Sequence, residues 1–354
     1  MSKKTKIIIS ILAVIAVLIS TAGIAFNAYY KKINYQKADS TTISSEEKEQ
    51  YNREQQDENL VDSNEEDIKK MEQEIMDNIQ SNSIDIPYNN DVLNILLIGT
   101  DDREDVQGSR SDSMILCSLN KKTKEITLTS LMRDCYVEIP DHGNNRLNAA
   151  YAFGGTQLLI DTIEQNFKID IDRYVKVNFF SFMDIVDAIG GVDIDLSDDE
   201  IRVLNLYLGE VNEILDEEGT DAIDGSAGVY HLNGKQALAY SRNRYTGNSD
   251  FARTERQRNV LNAIKESVKD SSIIELNNLL NVILPYITTD LTKGECFSLL
   301  LDAPSYLSNE MTSSRIPYDG TFTNVTVNKM AVLSLDFKKN IERLHSDIYG
   351  ITEE

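Results

Sequence analysis

The sequence predicts an α/β protein: a single layered α/β domain with a mixed central sheet flanked by helices, preceded by one transmembrane helix and a polar stalk. Three observations support this. An uncharged apolar run occupies residues 7–30, a polar segment follows over 31–90, and strand and helix patterns alternate over 91–354. Such alternation is typical of layered α/β folds. Because 41% of the 354 residues are hydrophobic, the chain can build a sizeable core.

The first 30 residues have the pattern of an uncleaved signal anchor. Residues 1–6 carry three lysines and predict a cytoplasmic tail, and the apolar run 7–30 contains no charge. A helix needs about 20 apolar residues to cross a bilayer. A cleaved signal peptide is the alternative, but its apolar core is shorter and ends at a small-residue site, which is not evident here. Lysines flank the run on both sides, so the positive-inside rule hardly decides which end faces the cytoplasm.

Residues 31–90 are rich in Ser, Gln, Asn, Glu and Asp, and large apolar side chains are sparse. Such a segment cannot bury enough apolar surface to fold alone. Good helix formers with a thin apolar stripe at Ile68, Met71 and Ile75 predict a solvated, partly helical stalk. A coiled coil is the alternative, although the heptads are not sustained.

The elements of the predicted domain 91–354 follow from the period of its apolar residues. Short runs rich in branched side chains, or alternating ones, predict strands over 92–99, 113–119, 125–130, 174–178 and 192–196, with another near Arg315. Helical spacing predicts helices over 148–167, 180–189, 199–215, 233–242, 254–269, 273–284 and 337–348. No internal repeat and no second change of composition divides this region, so one domain is expected.

Charge and cysteine content exclude several classes of protein. The chain has 35 basic and 58 acidic residues, a net charge of −23, which argues against a nucleic-acid-binding protein. Cys117, Cys135 and Cys296 are too few and too scattered for a disulfide framework or a zinc site, and we expect small buried side chains. Pairing of Cys117 with Cys135 stays open.

Two carboxylates are predicted at the tips of neighbouring strands. Asp101 follows the first strand, and Asp112 stands at the start of the second, beside Arg110. Magnesium is usually bound through one or two carboxylates together with substrate phosphates, and an arginine can bind a phosphate through two hydrogen bonds. The alternative is an exposed charged loop, and the motif taken by itself favours this alternative.

Arginines concentrate in two further places. Arg133 follows the third strand, and ligands collect at the carboxyl ends of strands in open α/β sheets. Four arginines and one aspartate then fall within 15 residues of an acidic protein: Arg242, Arg244, Asp250, Arg253 and Arg256. The guanidinium group suits fixed recognition of phosphate. The alternative is a helix face that neutralises the acidic body of the protein.

Seven fragments of the sequence carry a family resemblance. They are ILLIGTDDR, GSRSDSMIL, LTSLMRDCYVEIP, RLNAAYAFGG, AIGGVDI, HLNGKQALAYSRNRYTGNSDFARTERQ and IPYDGTF. Each fragment alone is weak, but seven in family order over roughly 94–322 are specific. Taken together, the chain resembles the LytR-CpsA-Psr family of cell-wall glycopolymer ligases. Met132 departs from the proline that many relatives have there.

The resemblance implies a magnesium-dependent transferase of the cell envelope, with manganese as the alternative metal. Such an enzyme moves a teichoic acid, a capsule or another anionic surface polysaccharide from a polyprenyl-pyrophosphate carrier onto peptidoglycan. The resemblance also implies a single-pass protein of the cell membrane, anchored by residues 7–30, with its catalytic domain outside the cytoplasm in a Gram-positive type of envelope.

Site residues carry over by position. The resemblance implies Asp101 and Asp112 as magnesium ligands, and Asp101, Arg133 and Asp250 as catalytic residues. A carboxylate, Asp250 or Asp101, is expected as the general base for the acceptor hydroxyl. The implied pyrophosphate ligands are Arg110, Arg133, Arg242, Arg244, Arg253 and Gln257. Residues of second rank are Arg103, Asp134, Arg146, Asn148 and Arg256.

Two other functions stay open. The same site could serve a phosphatase or pyrophosphatase that acts on prenyl-linked donors, with water in place of the sugar hydroxyl. The chain could instead be a membrane-bound regulator of envelope genes, although its acidic charge argues against direct binding to DNA.

Overall fold

The computed structural model describes residues 30–81, 89–101, 111–217, 219, 221–247, 249–272, 275–276, 279 and 282–351. Its centre is a seven-stranded sheet. The strands lie in the order β1 (Asn34–Tyr35), β10 (Thr288–Thr289), β7 (Arg173–Asn178), β2 (Val92–Thr100), β3 (Ser111–Asn120), β4 (Ile126–Leu131) and β11 (Met311–Ile316). Strand β2 is antiparallel to β3 and parallel to β7, and β4 is parallel to β11, so the predicted mixed sheet is confirmed.

Helices surround this sheet, and small sheets extend it. The helices are α1 (Ser45–Glu54), α2 (Glu65–Gln80), α3 (Ala149–Phe167), α4 (Phe179–Ala188), α5 (Asp198–Leu215), α6 (Gly234–Arg242), α7 (Ser249–Val268), α8 (Lys293–Ser308) and α9 (Phe337–Tyr349). Three two-stranded sheets pair β5 (Tyr136–Ile139) with β6 (Gly143–Arg146), β8 (Val192–Leu196) with β9 (Gly228–Leu232), and β12 (Phe322–Val327) with β13 (Met330–Leu335).

The predicted elements are found with small shifts of their ends. The helix expected over 254–269 begins earlier, at Ser249, and half of the residues of the one expected over 273–284 fall outside the described residues. Sequence periodicity did not predict α8 or the sheets β5–β6 and β12–β13. The strands of these two small sheets are only four to six residues long, and so carry little periodic signal.

Both faces of the central sheet are covered, which explains the nearly continuous apolar sequence of β2. Leu96 and Ile98 belong to the main core, which the sheet shares with α3 and α9. Leu93 and Ile95 face the opposite way and pack with Tyr306 of α8. Successive side chains of a strand point to opposite faces, so a single run serves both cores.

The structure differs from the solvated stalk expected over 31–90. Strand β1 pairs with β10 at the edge of the central sheet. Met71 and Ile75 of α2 are 2% exposed and belong to the main core, and the Asn78 side chain donates a 2.9 Å hydrogen bond to the Asn166 carbonyl. A stripe too thin to fold alone is therefore enough to dock α2 against α3 and α9.

Two further expectations concern the membrane and the cysteines. The predicted cytoplasmic tail and the predicted span lie outside the described residues, apart from Tyr30. Across the part of the chain that the structure describes, every helix is too short or too polar to traverse a bilayer. The three cysteines are free thiols, so Cys117 and Cys135 do not pair, and burial raises the pKa of Cys117 to about 12.

Candidate functional site

The candidate site lies at the edge of the central sheet where β2 and β4 end and β3 begins. Thr100 of β2 pairs with Ser111 of β3, so Asp101 and Asp112 are the next residues on two neighbouring strands. Strand β4 runs antiparallel to β3 and ends at Leu131, which brings Arg133 to the same edge. Asp112 and Arg133, each predicted at the end of a strand, thus lie at the same edge of the sheet.

Helix α7 places three more side chains over this edge. Asp250, Arg253 and Gln257 are three and four residues apart, so they share one face of the helix. Asp250 lies in the first turn, where a negative charge is favoured by the helix dipole. The Ser113 hydroxyl donates a 3.1 Å hydrogen bond to Oε1 of Gln257, which ties α7 to β3.

The centre of the site is a set of alternating charges that we call the arginine–carboxylate cluster: Arg133, Arg253, Asp112, Asp134 and Asp250. Nε of Arg133 lies 3.1 Å from Oδ2 of Asp250 and 3.6 Å from Oδ2 of Asp134, and its Nη1 lies 3.4 Å from Oδ1 of Asp112. Nη2 of Arg253 lies 3.3 Å from the same Asp250 oxygen. Asp250 therefore bridges the two arginines.

Burial and pairing shift the pKa values of this cluster. Burial opposes the charge of Asp250, but a hydrogen bond from Asp134 and the guanidinium groups of Arg133 and Arg253 outweigh it, so its pKa is well below the usual range. Burial and the contact with Asp250 raise the pKa of Asp134 to about 6. Burial and the neighbouring Arg133 lower the pKa of Arg253 to about 10. Asp250 is thus the fixed anion of the cluster.

The cluster and Arg242 each leave one donor unused. Nε of Arg253 and Nη1 of Arg242 are buried and form no hydrogen bond with the described residues. An unsatisfied buried donor costs roughly 1–3 kcal/mol, and more when the group is charged. A bound anion would remove this cost for the two donors, whereas Oδ1 of Asp250, which is also buried without a hydrogen bond to the described residues, would need a donor instead.

Arg242 connects this polar site with an apolar groove. Its guanidinium carbon lies 5.4 Å from the Phe179 ring centre and 5.6 Å from that of Tyr207, and its Nη2 lies 3.7 Å from Oε2 of Glu210. The groove runs between α4, α5 and α6, with Asp101 and Arg242 among its walls. The apolar side chains that line it are Phe179, Phe180, Met183, Val211, Ile214, Leu215 and Leu238.

The structure brings most of the predicted site residues together. Asp112, Arg133, Asp250 and Arg253 are in direct contact, whereas Asp101 and Arg242 line the groove. Arg244 is exposed, and its charge acts on both Asp250 and Arg253. Arg110 and Arg103 lie outside the described residues. Among the described residues, no group of three or more carboxylate, histidine or cysteine side chains could hold a metal by itself.

Some contributors were ranked low or missed. Asp134 joins the cluster and pairs with Arg146, whose Nε lies 3.6 Å from Oδ1 of Asp134. Ser113, the partner of Gln257, was missed because a serine in a strand carries no signal of its own. Arg315 was missed as well, and its guanidinium carbon lies 4.4 Å from the ring centre of Phe251 on α7.

Comparison with known proteins agrees with this geometry. The chain is 35% identical over 219 residues to a polyisoprenyl-teichoic acid–peptidoglycan teichoic acid transferase TagU of Enterococcus faecalis. This match covers 60% of the chain and 66% of the relative, just under two thirds of its length. The enzyme of the same name from Bacillus licheniformis is 32% identical over 300 residues, which cover 84% of this chain and 82% of that one.

The fold matches a solved structure of a related protein. The LytR-CPS2A-psr family protein YwtF (TagT), with bound octaprenyl pyrophosphate lipid, superposes with a TM-score of 0.55 at 25% identity, covering 75% of this chain and 94% of that one. The family model for LytR_cpsA_psr matches residues 31–345. With sequence, fold and charged site in agreement, the chain belongs to the LytR_cpsA_psr family.

Proposed function

We propose that this protein is a phosphotransferase-type ligase that moves an anionic glycopolymer, such as a teichoic acid, from a polyprenyl-pyrophosphate carrier onto peptidoglycan. The observation that carries the proposal is the arginine–carboxylate cluster beside an apolar groove. A diphosphate attached to a hydrocarbon chain has the same two parts. The TagU relatives are named as transferases of this kind, and the related TagT structure holds an octaprenyl pyrophosphate lipid, which supports the assignment.

In this proposal the diphosphate binds to the arginines. Arg253 has an unused Nε donor and Arg242 an unused Nη1 donor, and both are buried. Arg133 is ion-paired with Asp112 and Asp250. A diphosphate could replace part of this pairing. Arg244 and Gln257 complete the set, and Arg110 is expected to join from outside the described residues. Hydrogen bonds between arginine and phosphate are among the strongest in proteins.

The prenyl chain would occupy the groove between α4, α5 and α6. The groove is narrow in this structure, so a prenyl chain would enter it only as these helices move apart. Met183, Val211 and Leu238 form a small apolar cluster separate from the main core. Separation of this cluster would therefore leave the central sheet and its arginines in place.

Magnesium is proposed as the metal. Asp101 directly follows Thr100 and Asp112 directly follows Ser111, and these two residues pair across β2 and β3. Magnesium is usually bound through one or two protein carboxylates together with phosphate oxygens of the substrate. The described residues therefore fit a metal that is held jointly with the substrate. When bound, the ion would neutralise charge on the diphosphate. Manganese, with similar oxygen ligands, is the alternative.

The proposed step is transfer to an acceptor hydroxyl. The hydroxyl oxygen forms a bond to the phosphorus on the polymer side, the bridging P–O bond breaks, and prenyl phosphate leaves with the electron pair. Arg133 and Arg253 stabilise the negative charge that develops on the phosphate oxygens. Because its pKa is held low, Asp250 is a weak proton acceptor, so we assign it to positioning the two arginines. Of the two carboxylates considered, Asp101 is then the candidate general base.

The location follows from the same proposal. Residues 7–30 would anchor the chain in the cell membrane with the catalytic domain outside the cytoplasm, where peptidoglycan lies. The anchor keeps the site close to a donor that is itself held in the membrane, which raises the effective concentration of that donor.

The test uses the full chain in lipid vesicles with a synthetic prenyl-pyrophosphate glycan, magnesium and peptidoglycan fragments. Mass spectrometry should find the glycan and one phosphate on the fragment, with prenyl monophosphate released. Arg133→Ala should lower the rate by roughly 100-fold to 1,000-fold, the range for loss of a donor that stabilises transition-state charge. Arg202→Ala is the matched control, because that side chain is 64% exposed and its one ion pair with the described residues is to its helix neighbour Asp199.

Other products would assign another function. Donor cleavage with no glycan on the fragment would identify a phosphatase or pyrophosphatase. Release of prenyl pyrophosphate, with no phosphate on the product, would place the broken bond at the sugar carbon. A donor that neither binds nor reacts would contradict the proposed role of the arginines.

A further inference from the structure

Apolar side chains form an exposed surface at the point where the described chain begins. They lie on β1, on the short 3-10 turn that precedes β10 and the residues just before that turn, and on α8. Their exposed fractions are too large for side chains that serve the core. We call this surface the Tyr30 face: Tyr35 (46% exposed), Val282 (47%), Tyr286 (37%), Phe297 (40%) and Leu301 (65%).

Tyr30 itself is fixed at the start of α8. Its hydroxyl donates a 3.0 Å hydrogen bond to the carbonyl of Leu291, and its ring centre lies 6.3 Å from that of Tyr35. Nζ of Lys293 stands 6.0 Å from the same ring centre. Tyr30 is the last residue of the apolar run 7–30, so this run ends at the first turn of α8.

Helix α8 has two apolar sides. Leu299 and Tyr306 point to the sheet and pack with its second core. Lys293, Phe297 and Leu301 follow one another at intervals of four residues, so they form a single stripe. At 1.5 Å per residue this stripe extends about 12 Å from the contact with Tyr30. Packing against the sheet accounts for the apolar side chains Leu299 and Tyr306, but not for the exposed Phe297 and Leu301.

The face continues towards the candidate site. The turn Leu284–Tyr286 contacts both β1 and α4. Helix α4 contributes Phe179 and Phe180 to the apolar groove. The exposed apolar side chains therefore run from α8, past Tyr30 and β1, to the helix that forms one wall of the groove.

We propose that the Tyr30 face rests on the surface of a lipid bilayer, with its tyrosines at headgroup level and Phe297 and Leu301 at the boundary of the acyl chains. The inference rests on the membrane anchor of the proposed function. Contiguous exposed apolar patches mark interaction sites, tyrosine favours the membrane interface, and the apolar run that ends at Tyr30 puts a bilayer within one residue of this face. Lys31, Lys32 and Lys293 are exposed beside it, as contact with anionic headgroups requires.

Such docking would set the orientation of the whole domain. A stalked domain would turn freely above the membrane, whereas one seated on the Tyr30 face holds α4 against the bilayer. A prenyl chain could then pass from the bilayer to the groove along apolar side chains. The packing of residues 31–81 on the domain favours this seated arrangement, because it leaves no long flexible tether after Tyr30.

The chain contains no tryptophan, so one introduced tryptophan reports a single place. Leu301→Trp in the full chain is compared with Val229→Trp, which lies on β9 and is 71% exposed in the native chain. Both are reconstituted in vesicles of phosphatidylcholine and phosphatidylglycerol with brominated acyl chains. Leu301→Trp should show blue-shifted emission and clear quenching by the bromine atoms, because its side chain would lie at the boundary of the acyl chains. Val229→Trp should be unaffected.

Each other outcome overturns the proposal. Unquenched, red-shifted emission from Leu301→Trp means that water covers the face. Blue-shifted but unquenched emission means that protein covers it, and equal quenching of both variants means that the face has no preference. The glycan-transfer assay on the same vesicles separates the two proposals: transfer without quenching removes only the docking, and quenching without transfer removes only the ligase.

Discussion

Two arginines three residues apart on α7 differ in what surrounds them. Arg253 and Arg256 are equally buried, at 4% and 6% exposed. Nε of Arg256 donates to Oε1 of Glu200 at 2.9 Å, its Nη1 to the Asn243 carbonyl at 3.1 Å, and its Nη2 to the Thr246 carbonyl at 3.2 Å. Arg253 has one ion pair, to Asp250, and its Nε forms no hydrogen bond with the described residues.

The difference predicts a structural role for Arg256 and, under the proposed function, a ligand-binding role for Arg253. Arg256 joins α5, the loop after α6 and α7 through hydrogen bonds from all three of its guanidinium nitrogens, so its removal would damage the fold. Nε of Arg253 is buried without a hydrogen bond to the described residues, at the edge of the sheet where β2 and β4 end and β3 begins. Under the proposed function, removal of Arg253 would weaken the binding of an anion. Burial alone would have placed the two residues in one class.

The largest expected effect is on folding. Arg256→Gln leaves the Glu200 carboxylate and the carbonyls of Asn243 and Thr246 without their partner, and breaking a buried ion pair costs roughly 3–5 kcal/mol. Urea unfolding followed by circular dichroism measures it. A loss below about 1 kcal/mol, the range of exposed ion pairs, would show that the saturated donors of Arg256 are not structural.

The second effect is on activity. Arg253→Gln should reduce glycan transfer by roughly 100-fold to 1,000-fold, because one donor to the developing charge is lost. The free energy of unfolding should fall by less than in Arg256→Gln, because Asp250 keeps its ion pair with Arg133. The transfer assay and urea unfolding are run on the same preparation. An Arg253→Gln protein as active as the wild type would remove the distinction between the two arginines.

The smallest effect concerns pH. Burial raises the pKa of Asp134 to about 6 in the folded protein, above its ordinary value of 3.8. The folded state therefore binds a proton more tightly than the unfolded state between these values, and stability falls as pH rises through this window. Asp134→Asn removes this contribution, so the wild type should lose up to about 1 kcal/mol per pH unit relative to the variant. Chemical unfolding of both proteins at about pH 4.5, 5.5 and 6.5 measures their free energies of unfolding. If stability changes with pH equally in the wild type and in Asp134→Asn, the raised pKa of Asp134 is contradicted.

The fold was predictable where signals are local. The apolar run of β2 and the spacing of α3 predicted their elements without knowledge of the neighbours. The docking of α2 was not predictable, because Met71 and Ile75 are buried only through contact with helices far along the chain. A thin apolar stripe looks the same on a free helix and on a docked one.

The site shows the same limit. Asp112, Arg133, Asp250 and Arg253 were predicted from strand ends and from the concentration of arginines. Nothing in the local sequence separates Arg253 from Arg256, since the partner Glu200 is 56 residues away. The number of free donors on a buried arginine depends on distant residues, and only the folded structure gives it.

The central claim is that a diphosphate binds to the arginine–carboxylate cluster through the unused Nε donor of Arg253. Thermal unfolding with inorganic pyrophosphate and magnesium tests it directly. Pyrophosphate at 100 times its Kd should stabilise the wild type by about 2.7 kcal/mol, and the Arg202→Gln control by the same amount. Arg253→Gln should gain far less. Equal stabilisation of wild type and Arg253→Gln, or none in the wild type, would contradict the account.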